Sequence, residues 1–209
     1  MWDQRDIPRQ GAPGPDEGLQ RLVDAARRLF AGLGFDGVTT EMIAEAAGTD
    51  VATVRGLAGG KRELYLDVMD EAASAERRAL DECQSLPPDR DDSLRSLDHY
   101  IDFYVAHPEV AALWVHRWLS DARDITEVES RFLRPTLEKA VQRIAEIAPN
   151  VDAEYVLWTI IWSVQGFATS GVLDADGGRR GVENPAQVER FRRHLHSTTR
   201  QMLGMAVAQ

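Results

Sequence analysis

Histidine and cysteine are the side chains best suited to metal or nucleophilic chemistry, and in this chain their spacing supports neither. His99, His107 and His116 are separated by eight and nine residues, with Pro108 breaking any helix between them. A helical metal site needs histidines one turn apart on the same face. His194 and His196 are two residues apart and fall on different sides of a helix. There is no Gly-rich phosphate loop, nucleophile elbow or paired-carboxylate signature. No catalytic residue, metal or cofactor is expected. A different set does carry chemical meaning: Thr39 and Thr40 at one predicted helix start, Val51, Ala52, Thr53 and Arg55 along the next, and Lys61 beyond it. Hydroxyls and free N–H groups at a helix N-terminus hold phosphate, and an arginine pairs with the hydrogen-bonding edge of guanine. That chemistry suits non-covalent recognition of nucleic acid, with Thr39, Thr40 and Lys61 expected at the backbone and Val51, Ala52, Thr53 and Arg55 at base edges, although turns between two such helices also occur in ordinary helical hairpins.

The elements that must position these residues are legible around them. Leu19, Leu22, Val23, Ala26, Leu29, Phe30 and Leu33 recur at three- and four-residue spacing, which predicts an amphipathic helix. Gly34 suits the left-handed residue that stops it, and Gly37 suits a second such position in the loop. Thr39 or Thr40 caps a short helix with Glu41 in its first turn and Ile43, Ala44 and Ala47 on its inner face. Gly48 suits the turn, Thr49 or Asp50 the next cap, and a second short helix starts near Val51. This is the layout of a helix-turn-helix, whose second helix is shaped to enter a major groove.

The run Ala25-Ala26-x-x-Leu29-Phe30, then Gly34-Phe35, Thr39-Thr40, Ile43-Ala44-x-x-Ala47-Gly48 and Lys61-x-x-Leu64 resembles the N-terminal domain of the TetR family of bacterial transcriptional regulators. The resemblance covers about a quarter of the chain. It implies an all-α protein, with a three-helix DNA-binding head on a larger helical body. It also implies a homodimer that binds double-stranded, palindromic operator DNA, as a repressor by default, and is released by a small-molecule effector. One segment departs from the family. Arg55 and Ala58 stand where members usually carry Tyr and Phe, and Gly56 lies between them. A helical Gly costs about 1 kcal/mol relative to Ala, so Gly56 is expected to shorten or loosen the recognition helix, and Leu57 to turn inward in place of the absent Phe. The competing reading is a helical ligand-binding or interaction protein whose helix-turn-helix no longer binds DNA.

The net charge of −10 is unevenly spread. Residues 1–17 carry two Arg and four acids, giving −2; residues 18–66 carry six bases and six acids, giving zero; the remainder therefore carries −8. Recognition by the head must then depend on where its bases sit rather than on bulk charge. No run of eighteen apolar residues and no signal-peptide layout is present, and the lone Cys83 suits a reducing compartment, so a cytoplasmic protein without a membrane span is expected.

Three segments follow: a disordered arm over 1–17, a head over 18–66, and a ligand-binding and dimerisation body over 67–209. Predicted body helices cover 61–84, stopping at Pro87-Pro88, then 91–106, 109–120, 126–148 with a kink at Pro135, 152–173 and 185–203, with a Gly-rich loop over 174–184. No strand-like alternation is seen. Tyr100, Phe103, Tyr104, Trp114, Trp118, Phe132, Trp158 and Trp162 concentrate aromatic mass in the middle helices and are the candidate ligand contacts. His99, His116, Arg117 and Gln165 are the candidate polar groups beside them. Trp162, Gly166, Ser170, Phe191, Leu195 and Met202 are the candidate dimer interface, on two helices that would form an intermolecular four-helix bundle.

Overall fold

The structure is a computed structural model that describes the backbone of residues 15–84 and 90–205, and the side chains within these except 15 and 81–93. The expected N-terminal arm up to residue 14, the Cys83 side chain and the Pro87-Pro88 break lie outside the described residues. Helices dominate: α1 (Pro15–Leu33), α2 (Thr40–Ala47), α3 (Val51–Ala58), α4 (Lys61–Gln84), α5 (Arg90–Ala106), α6 (Pro108–Trp118), α7 (Arg134–Ile147), α8 (Ala153–Ser170) and α9 (Pro185–Met202). The protein is all-α, with a three-helix head over a helical body. No helix of the described residues is long and apolar enough to cross a membrane.

The head forms as its local signals require. Leu22, Val23, Ala26 and Phe30 of α1 are buried, while Leu33, at the end of the same stripe, is exposed. Thr39 caps α2 by accepting from Met42 N at 3.3 Å, and Asp50 caps α3 by accepting from Thr53 N at 2.7 Å. Between them Gly48 is left-handed and donates back to the carbonyls of Ala44 and Glu45. Gly37 is not left-handed. A Cβ there would meet Leu33 O at 2.5 Å, so its role is close approach of the loop to the end of α1. Phe30, Phe35 and Tyr65 pack in a triangle with ring centroids 4.9 to 5.9 Å apart, joining α1, the loop after it and α4. Helix α4 runs unbroken through residues 66 and 67 and packs on both α1 and α5, so head and body share it.

The structure departs from expectation at three places. The segment expected as one kinked helix over 126–148 contains a π turn, Glu129–Leu133, ahead of α7. Pro135 has no N–H to return to the preceding turn, and the Arg134 N–H instead reaches back to Glu129 O. The helix expected over 152–173 stops at Ser170, and the residues beyond it form a small antiparallel ribbon with the Gly-rich loop, β1 (Val172–Leu173) with β2 (Arg179–Arg180), paired Val172 to Arg180 and Leu173 to Arg179. Asp174 closes it by accepting from Gly178 N and Arg180 Nε, both at 2.7 Å. Third, α3 is neither shortened nor broken at Gly56: it continues to Ala58, and nothing lies within 4 Å of where a Gly56 Cβ would be. The head core closes on Val54 and Ala58 without the absent Phe. Leu57 does not turn inward; it is 38% exposed and leans over Gly18 of α1.

Because Gly56 is helical and its outer side is open, Gly56→Ala is expected to stabilise the protein by up to about 1 kcal/mol. Urea denaturation measures it. An unchanged or lowered midpoint would mean that α3 is not helical at this residue.

Candidate functional site

Helix α3 presents two faces. Val54 and Ala58 are buried, Val51 is half-buried against the core, and Ala52, Arg55 and Gly56 form the exposed outer face. Thr53 is half-buried, with its N–H committed to Asp50. Of the four residues expected to face base edges, Ala52 and Arg55 are therefore the exposed pair. Thr39 is exposed and occupied as a cap, and Thr40 is half-buried at the first position of α2. Glu41 is held below the usual carboxylate range by its own backbone N–H, by the Thr39 hydroxyl and by the Arg55 charge. Arg55 thus already has a carboxylate neighbour on α2.

Lys61 is engaged internally rather than pointing outward. Its Nζ donates to Phe35 O and Val38 O, both at 2.8 Å, and sits 3.9 Å from the centre of the Phe35 ring. The same loop is gripped from the other side by Asp121, whose carboxylate accepts from Phe35 N at 2.6 Å and Asp36 N at 2.8 Å. Gly34 is left-handed (φ 72°), and a Cβ on it would press within 3.0 Å of that carboxylate. Opposite charges therefore clamp the two sides of the main chain that leads into α2.

Asp121 is itself held by Arg117, a residue expected to be polar lining for a ligand and found to have another job. All five guanidinium N–H groups are used. Nε and one terminal nitrogen take the two Glu129 oxygens at 2.5 and 2.9 Å, and the rest reach the carbonyls of Asp121, Ala122 and Ile125. Burial pushes Glu129 up, but the Arg117 hydrogen bonds outweigh it and hold the carboxyl below its usual range. Ser120 and Ala122, on either side of Asp121, both adopt left-handed backbone without being glycine (φ 70° and 52°). Such residues cost about 1–3 kcal/mol each and persist where neighbouring contacts over-determine them. His116, another expected ligand contact, has Nε2 at 3.2 Å from Ala31 O of α1, at the same head–body junction. His99 is exposed.

A cavity of about 150 Å³ lies within the body, between α4, α5, α7, α8 and α9. Of the expected aromatic contacts, Tyr100, Trp118 and Phe132 line it; Phe103, Tyr104, Trp114, Trp158 and Trp162 do not. Phe103 packs edge-on against Tyr104, and Trp114 is fully buried, 5.6 Å from Trp118. From Trp118 the row of indoles continues through Trp158 to Trp162 in steps of 5.5 and 5.6 Å, ending at the surface. Gln165 lines the cavity as expected: Oε1 accepts from Trp118 Nε1 at 2.8 Å, and Nε2 donates to the Tyr104 hydroxyl at 3.3 Å.

Three lining groups were not anticipated: Glu76, Thr199 and the α7 face of Leu137, Ala140 and Ile144. Glu76 was discoverable as an acid within the apolar stripe of Val68, Met69, Ala72, Ala73 and Leu80. Burial pushes it up to about 7, against the Tyr104 hydroxyl and the Arg77 charge, which favour its ionised form. Among the described residues no cluster of three His, Cys, Asp or Glu is placed to hold a metal ion.

The expected interface residues divide. Trp162 is 54% exposed, and Gly166 and Ser170 are exposed beside it, with open space over Gly166. Phe191 lies 4.2 Å from Phe167 and is half-buried, as is Met202. Leu195 is corrected: at 2% exposure it belongs to the chain's own core and is not available to a second copy.

A clamped helix-turn-helix on a helical body with an internal cavity places the chain among all-α helix-turn-helix proteins. Residues 22–68 match the family of bacterial regulatory proteins, tetR family. The head is thus similar to the N-terminal DNA-binding domain of that family. It is similar to the HTH-type transcriptional repressor SCO4008 of Streptomyces coelicolor, 31% identical over 102 residues, which is 49% of this chain and 50% of that protein. The match thus spans half the length of that relative. The fold resembles that of the putative transcriptional regulator SCO4942 from Streptomyces coelicolor (TM-score 0.63, 20% identity, covering 88% of this chain and 96% of that one). It also resembles the TetR family transcriptional regulator PfmR from Thermus thermophilus (TM-score 0.64, 13% identity, 90% and 97%). These proteins are regulators rather than enzymes.

Two outcomes follow from the geometry. Asp121→Ala leaves two main-chain N–H groups without their acceptor and is expected to cost about 1–3 kcal/mol. Hydrogen exchange should localise the loss of protection to Phe35 and Asp36; unchanged protection there would remove Asp121 from the clamp. For Glu76 the sign runs with a raised carboxyl: between its unfolded value and about 7 the folded state binds the extra proton, so stability falls as pH rises through that window. Glu76→Gln is therefore expected to stabilise the protein at pH 8, by roughly 3 kcal/mol at most, and to change little at pH 5. Thermal melts at the two pH values measure it, and an equal effect at both would mean the carboxyl is not perturbed.

Proposed function

We propose that the protein is a transcriptional regulator that binds a palindromic operator as a homodimer and is released by a small, largely apolar ligand. In this reading residues 18–66 are the DNA-binding unit and residues 67–209 the ligand-binding and dimerisation unit. The observation that carries it is the exposed face of α3, with Ala52, Arg55 and Gly56 turned outward from a helix-turn-helix whose approach loop is clamped to the body. Arg55 reads bases, Gly56 lets the α3 backbone approach the groove, and the N-terminus of α2 beside Thr39 and Thr40 holds phosphate. Lys61 acts mainly by positioning, with one N–H left for the DNA backbone.

The dimer reading rests on exposed Tyr155 and Trp162 on α8 and Leu173 beyond it, with open space at Gly166 where another helix can approach. Two α8–α9 pairs would then form a four-helix interface. As a repressor, the protein would leave its operator when ligand favours a conformation whose two heads no longer match the groove spacing, to the extent that the ligand binds that state better. The neighbouring Glu41, which competes for Arg55, keeps the competing reading of a helical ligand-binding protein without DNA contact in play.

The test is selection of random duplex DNA by the purified protein, followed by titration of the recovered site with Arg55→Ala. A palindrome with half-sites about one helical turn apart is expected. Loss of the Arg55 base contact is expected to weaken binding by about 1–3 kcal/mol and to relax specificity at one position. No enrichment from a folded dimer would favour the competing reading.

A further inference from the structure

Three of the polar groups that line the cavity are buried, and none of them is a cation. Glu76 is 9% exposed, Gln165 and Thr199 are each 2% exposed, and all three line the space. The hydroxyl of Thr199 is buried and has no hydrogen-bond partner. Gln165 Oε1 accepts once within the protein, from Trp118 Nε1, which leaves its second lone pair. The rest of the lining is mostly aliphatic or aromatic, including Leu97, Phe132, Leu137 and Ile161, with Ser96, Thr136 and Arg143 as its further polar members.

Resting on the ligand-responsive reading above, we infer that the cavity takes a small apolar amine, about one ring in size, with its ammonium set against Glu76 and its N–H groups reaching Thr199 Oγ1 and the Gln165 carbonyl. A cavity of about 150 Å³ accommodates a benzene-sized molecule. A buried carboxylate is compensated by a cation, whereas a carboxylate ligand would bring like charge against it. The groups around Glu76 leave that position to the ligand. On its own helix Arg77 acts through space and hydrogen-bonds Ser74. From α5 come the Tyr100 and Tyr104 hydroxyls, which burial keeps protonated, and from α6 the Trp114 indole. Arg143 of α7 lines the cavity but is only half-buried. Binding of a cation favours the ionised carboxyl, so the amine binds more tightly as pH rises and expels a proton as it does so.

The experiment is calorimetric titration of the full chain with benzylamine, benzyl alcohol and benzoate, at pH 6 and pH 8 and in buffers of different ionisation enthalpy. Benzylamine, protonated throughout, is expected to bind best, roughly tenfold more tightly at pH 8 than at pH 6, with proton release near pH 7. Glu76→Gln is expected to abolish the preference, the pH dependence and the proton release together. Thr199→Val, which keeps the shape, is expected to weaken benzylamine more than benzyl alcohol. Equal, pH-independent binding of all three probes would overturn the amine assignment while leaving a ligand cavity. No binding of any probe would overturn both the assignment and the cavity reading beneath it. The pH dependence of the parent protein decides the matter even if Glu76→Gln fails to fold.

Discussion

The four residues Phe35 to Val38 pass between an ammonium and a carboxylate, and the head stands or falls with that arrangement. Lys61 takes carbonyls of the segment and Asp121 takes its N–H groups, so each charge meets the main-chain dipole ends of opposite sign. Hydrogen bonds to charged groups contribute about 1.5–3 kcal/mol each when well formed. Behind Asp121, the Arg117 guanidinium spends every donor on Glu129 and on carbonyls of residues 121, 122 and 125. That network holds the left-handed conformations of Ser120 and Ala122. Helices α2 and α3 follow directly from the clamped loop, and their orientation is set by it.

Two structural elements belong to both the cavity and the clamp. On α6, Trp118 faces the cavity while the residue before it, Arg117, faces the Asp121 loop. In the π turn, Phe132 lines the cavity while Glu129 holds Arg117. The wide turn that Pro135 imposes places these two side chains, three positions apart, on different tasks. Occupancy of the cavity and the setting of the head thus share α6 and the π turn as common supports.

How much of this the sequence disclosed depends on the range of the signal. Thr39, Asp50, Gly34 and Gly48 act on neighbours within a few residues, and the head was legible from them almost to the residue. Lys61, Arg117 and Asp121 act on partners chosen by the fold, and Asp121 meets Phe35 N across 86 positions of chain. Residue type alone pointed Lys61 outward to DNA and Arg117 toward a ligand. The aromatic count likewise located the middle of the body but not the cavity, because Trp114 and Phe103 fill core beside it. The α7 stripe, which covers one side of the cavity, looks in sequence like any amphipathic helix. Only Glu76 carried a local warning, an acid at helical spacing among apolar residues.

Through Asp121 the body touches the head as bare backbone, since both hydrogen bonds end on main-chain N–H groups. The outer surface of α2 and α3 is accordingly free to diverge while the joint stays unchanged. A head transplanted from another protein would need a turn of the same shape between its first two helices, with a glycine at its start, and a first helix that packs on α4 and α6. The outer face of the head and its joint to the body are in this sense separable inheritances within a single chain.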